Sequence, residues 1–127
     1  MLKKFSFSLM FAVVVSAAWL PLRSQELGSI TFPTSGAPAA QAAFLEGVKS
    51  LHSFQFDEAA VAFQRAQKTD PSFAMAYWGE AMSHNHPLWA QQDGDAAKKV
   101  LEKIGPTLAA RVAKVNTPKE QGLLEDI

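Results

Sequence analysis

Glu80, His84 and His86 are the residues of this chain whose types and spacing come nearest to a chemical centre. Glu80 and His84 stand four apart, which puts them on one face of a helix. His86 comes just past the point where that helix should end. A carboxylate and two imidazoles converging there would suit zinc or copper. The plainer account is that both imidazoles lie near a helix C-terminus, where the dipole favours a partly protonated ring. Glu80 is then a paired or rim carboxylate. His52 reads as a buried histidine bonded to a carbonyl in an inter-helix turn rather than as a base. No Ser, His and Asp are spaced as a hydrolytic triad would need. Asp93-Gly94-Asp95 lacks the later ligands and closing Glu of a calcium loop, and reads as a turn leading into an N-cap. No residue is assigned a catalytic role, and no cofactor is expected outside the zinc or copper alternative.

A second group is suited to binding rather than reaction: Met75, Tyr77, Trp78, Met82 and Trp89. Trp78 and Met82, at i and i+4, read as core between helix pairs. Tyr77, His84 and Trp89 are the candidates for lining a groove. Trp89 leads, because it stands in a loop after Pro87.

The elements that must position these side chains are helical. Phe44, Val48 and Leu51 recur at four and three over about 39–53, and Phe56, Ala59, Phe63 and Ala66 recur at three, four and three up to Lys68. Asp70-Pro71 ends that second stretch, since a residue before Pro avoids the helical region. The third, from Ser72 to about His84, is apolar nearly all round with Glu80 its one charge, so it must be covered on several sides. Asp95 is expected to cap a fourth helix reaching Ile104, and a fifth spans about Thr107 to Val115. No run alternates long enough to argue a strand. The chain reads as all-α.

At the end, Thr117 with Glu120 three residues later forms a capping box, and Pro118 takes the first helical position. Leu123, Leu124 and Ile127 give this helix an apolar face with no partner after it. A helix of about ten residues is marginal alone. It is therefore expected to be ragged and weakly held, the opening of a further helix encoded beyond Ile127.

Composition narrows the functions. Lys3 and Lys4 precede an uncharged run from Phe5 to Leu20, with small residues at Val15-Ser16-Ala17-Ala18. This is the layout of a secretory signal peptide, assigned to residues 1–18 with cleavage as late as about 24. The run is shorter than the roughly 20 residues of a spanning helix, so an uncleaved anchor is the only membrane link considered. This layout implies export to a periplasmic or extracellular location. Residues 19–38, rich in Ser, Gly, Pro and Thr from Arg23 onward, read as an extended lead-in, with Ile30 and Phe32 packed on the helical part of the chain. Removing residues 1–18 leaves 10 basic and 12 acidic side chains, without a basic cluster. Nucleic acid is thus excluded as a partner. The absence of Cys removes disulfides, thiol nucleophiles and Cys-based zinc sites.

Helix pairs with a Pro after them invite a search near a period of 34. Gly47, Ala59, Phe63, Ala66 and Pro71 have the spacing of a tetratricopeptide repeat, and a shift of 34 carries Gly47 to Ala81, with Tyr77 before it. In the second unit Asp93 stands where Ala is wanted. Taking Ala96 and Val100 as the equivalent pair requires about three inserted residues within 85–94. The segments Leu51-His52-Ser53-Phe54, Phe56-Asp57-Glu58-Ala59, Phe73-Ala74-Met75-Ala76-Tyr77-Trp78-Gly79-Glu80-Ala81-Met82 and Asn85-His86-Pro87-Leu88-Trp89 resemble a family of exported bacterial tetratricopeptide-repeat proteins. The resemblance runs from about Phe32 to the end. It implies a repeat scaffold with further repeats and no established reaction. Residues 39–127 are accordingly expected to form antiparallel helix pairs of a tetratricopeptide-like α-solenoid. The expected role is non-catalytic binding of a protein or peptide. A metal-binding protein using Glu80, His84 and His86 is the alternative.

Overall fold

A computed structural model describes residues 27–127, and the signal-peptide assignment lies outside them. The described residues are mostly helical, and the all-α expectation holds. Helix α1 (Pro38–His52) turns back through three residues into α2 (Phe56–Thr69), and α3 (Ala74–Met82) comes after a short connection. Such short links between packed helices make neighbours antiparallel. A two-residue ladder, β1 (Asn85–His86) with β2 (Gln91–Gln92), encloses a 3₁₀ turn at Pro87–Trp89. Then come α4 (Gly94–Glu102), α5 (Leu108–Val112) and α6 (Pro118–Glu125).

The core forms where α1, α2 and α3 meet. Phe44, Phe63 and Met75 are fully buried, and Phe44 lies 5.7 Å from Phe63 and 5.0 Å from Phe73, between ring centroids. Burying each such side chain is worth about 1.5–3 kcal/mol. Phe63 sits between two glycines. A Cβ at Gly47 would meet its ring at 2.7 Å, and one at Gly79 would also clash with it. The glycines are there because the helices approach closely through that ring.

Several expectations need correction. The fourth helix is capped by Asp93, which accepts from the Ala96 N–H at 2.9 Å, rather than by Asp95. The third helix stops at Met82, two residues short. The ladder at Asn85–His86 is too brief to show as alternation. Phe32 packs edge-on against Phe44 at 5.3 Å as expected, whereas Ile30 stays exposed.

The largest correction concerns α6. It is held, not ragged. Leu124 is fully buried, and so is Glu120. Thr117 accepts from the Glu120 N–H as a capping residue should, but the Glu120 carboxylate turns to the lead-in. Its Oε1 accepts from the Ser35 N–H at 2.7 Å, and its Oε2 accepts from the Ser35 and Thr117 hydroxyls at 2.5 and 2.9 Å. The Asn116 N–H donates back to Ser35 Oγ at 2.9 Å. Two residues on, the Ala37 N–H donates to Asp70 Oδ2 at 2.8 Å. The lead-in is thereby pinned to both α2 and α6.

Candidate functional site

The opposite end of the helices, where α1 passes to α2 and α3 opens into the ladder, carries the site. Helix α1 ends in a Schellman arrangement: the Gln55 N–H donates to Ser50 O at 2.9 Å and the Phe54 N–H to Leu51 O at 3.2 Å. That motif requires a left-handed residue, and here Phe54 supplies it at φ 60°. Glycine is the usual occupant, since any Cβ costs about 1–2 kcal/mol in this conformation. The other non-glycine residue with positive φ among those described is Ala90, at 51°, which closes the 3₁₀ turn beside Trp89.

Both strained positions coincide with an exposed aromatic side chain, Phe54 with its own and Ala90 with that of its neighbour Trp89. Phe54 is 52% exposed and Trp89 is 56% exposed. With Phe56 they form a triangle of rings. Phe54 lies 6.3 Å from Phe56 and 6.4 Å from Trp89, and Phe56 lies 5.9 Å from Trp89, with interplanar angles of 62°, 70° and 86°. His86 stacks on Phe56 at 4.2 Å, and its Nε2 stands 2.9 Å from Ser83 O.

Phe54 and Phe56 are shared by two concavities. One, of about 390 Å³, is apolar and runs past Leu51, Trp78, Met82 and Pro87. The other, of about 360 Å³, is bordered by Trp89, Asp57, Glu58 and Gln91. Neither acid takes part in an ion pair; among the described residues the ion pair is Arg65 with Glu46.

The residues singled out in the sequence separate. Glu80 is buried between α2 and α3, where Oε1 accepts from the Gln64 amide at 2.8 Å and Oε2 from the Gln67 amide at 2.6 Å. His84 lies two residues past the end of α3, and His86 turns to Phe56. Among the described residues no group of three or more His, Asp or Glu side chains could hold a metal ion, so the expected convergence of Glu80, His84 and His86 is not formed. His84 instead borders a shallow concavity with His86 and Asp93. Tyr77 is buried, and its hydroxyl donates to Pro71 O at 3.0 Å. Burial, then the charges of Glu80 and Asp70, raise its pKa above the ordinary phenol value. Tyr77 therefore serves packing, Trp89 stands on the rim, and His84 lies apart from both. His52 does bond a carbonyl, Val48 O at 2.9 Å, but within its own helix and exposed to solvent.

Phe54 and Phe56 are the site residues that sequence reasoning passed over. The available signal was a phenylalanine standing where a helix C-terminus calls for glycine. Comparison with protein-family models, curated proteins and solved structures returns no match.

Proposed function

We propose that this chain is an exported, non-catalytic module that binds a protein or peptide at the aromatic end of tetratricopeptide-like helix pairs. The carrying observation is the cost accepted there. Both non-glycine left-handed residues among those described lie at exposed aromatic rings, Phe54 on the wall of the apolar groove and Ala90 next to Trp89 on the adjoining concavity. Backbone strain of about 1–3 kcal/mol persists where it serves a site. Exposed aromatic clusters beside a preformed concavity are where peptides dock, since rigid rings lose little entropy on contact.

The repeat-like part of the reading is supported by α1 and α2. Ala59, Phe63 and Ala66 are buried against α1, Gly47 faces the Phe63 ring, and Pro71 stands just past the end of α2. Gly79 of α3 also meets the Phe63 ring, and α4 buries Val100. Export rests on the residue pattern of Met1–Ala18.

Selection of capped random hexapeptides on the purified mature chain tests the binding role. Selected peptides should lose at least about tenfold in affinity on Trp89→Ala, as central aromatic contacts do, while the melting temperature stays put. If repeated rounds yield no selectable peptide, the reading fails.

A further inference from the structure

Resting on that peptide-binding reading, we infer that the concavity bounded by Phe54, Phe56, Trp89, Asp57 and Glu58 is a cation subsite for a Lys ammonium or Arg guanidinium of the bound peptide. The apolar groove beyond the shared Phe54–Phe56 wall takes a neighbouring apolar side chain of the same peptide.

The rings carry the argument. Three aromatic side chains with centroids 5.9 to 6.4 Å apart, steeply inclined to one another, line the concavity, and His86 stacks on one face of Phe56; the faces of such rings are electron-rich. A cation held within about 6 Å of such faces is attracted, most strongly by Trp. The two carboxylates add negative charge to the same concavity, where His86 is the one basic side chain in the lining and no Lys or Arg is present. Asp57 and Glu58 also suit the first turn of α2, where the helix dipole favours acids. That accounts for their sign but not for the aromatic walls beside them. An anionic ligand would meet two like charges. A purely apolar ligand is already served by the adjoining groove, whose lining has no acid. The molecule uses the same attraction elsewhere: Lys119 Nζ lies 3.9 Å above the Phe32 ring centroid.

The test begins with the capped hexapeptides selected on the full mature chain, each resynthesised with its basic residue replaced by Gln. The expected result is a Lys or Arg at a fixed spacing from an apolar residue, with about tenfold weaker binding once it is Gln. The double variant Asp57→Asn, Glu58→Gln should weaken the basic peptide while leaving the Gln peptide unchanged, and this difference isolates the charge coupling. Affinity of the basic peptide should also fall as salt rises. Selected peptides without a basic residue, or a Gln replacement that changes affinity less than about twofold, overturn the cation subsite and leave the groove standing. Failure to select any peptide overturns both.

Discussion

The two ends of the α1–α2–α3 core are built on opposite terms. At one end the lead-in is stitched down by carboxylates whose oxygens are filled by neutral donors: Glu120 by Ser35 and Thr117, Asp70 by Ala37 and Ser72. At the other end Phe54, itself left-handed, and Trp89, beside left-handed Ala90, stand in solvent, and Asp57 and Glu58 lack a cationic partner among the described residues. The first end gains stability from each contact it makes. The second holds a shape at some cost. On the proposed binding role, the contrast separates what stabilises the chain from what it would offer to a peptide.

The contrast breaks first if the pinned end proves unimportant. Glu120→Ala removes the acceptor of three hydrogen bonds from a fully buried position. Hydrogen bonds to a charged group contribute about 1.5–3 kcal/mol each when buried, less where water can replace the partner. Ser35 is exposed, so a total loss of about 3 kcal/mol is expected. The urea midpoint of the variant should fall accordingly, with peptide binding intact wherever the chain remains folded. A loss below about 0.5 kcal/mol, the scale of an ordinary surface substitution, would show that the lead-in is not fastened by this carboxylate.

Asp70 gives a smaller effect with a pH signature. The Ser72 hydroxyl, then the Ala37 N–H, hold its carboxyl below the ordinary value of 3.8, against a smaller opposing effect of burial. A depressed carboxylate contributes stability that is present above its unfolded pKa and lost as pH falls through the folded one. The native chain should therefore lose stability as pH drops below about 4, and Asp70→Asn should flatten that part of the profile. At neutral pH the same variant should cost about 1 kcal/mol. An unchanged acid limb would remove Asp70 from the latch.

How much of this contrast was legible in the sequence depended on distance along the chain. The helices were readable because Phe44, Val48 and Leu51, or Ala59, Phe63 and Ala66, repeat within a few residues. Thr117 was readable as a cap for the same reason. The partner of Glu120 was not, because Ser35 lies 85 residues away and no local pattern joins the two. The Glu80–His84 spacing assumed a helix reaching about His84, whereas α3 stops at Met82. Glu80 then found glutamine amides on α2. Trp89 was readable as exposed from its place after Pro87. Its partners were not, since Phe54 and Phe56 lie more than 30 residues earlier and no local pattern joins them to it.

The sharpest discrimination comes from the smallest energy, at Phe54. Two substitutions there remove the same ring but treat the backbone differently. Phe54→Ala loses the contacts with Phe56 and Trp89 and keeps a Cβ at φ 60°. Phe54→Gly loses those contacts too, but relieves the left-handed cost of about 1–2 kcal/mol. Part of that gain is offset by the greater freedom of glycine in the unfolded chain. The Gly variant should thus exceed the Ala variant by about 1 kcal/mol and come close to the native chain, a gap of several degrees in melting temperature for about 100 residues. Both should lose the selected peptides. If the Ala and Gly variants were equally stable, Phe54 would carry no backbone cost, and the main reason for assigning function to this end would go. If Gly restored stability while binding vanished, the chain would be shown to keep a destabilising phenylalanine for the sake of its exposed ring.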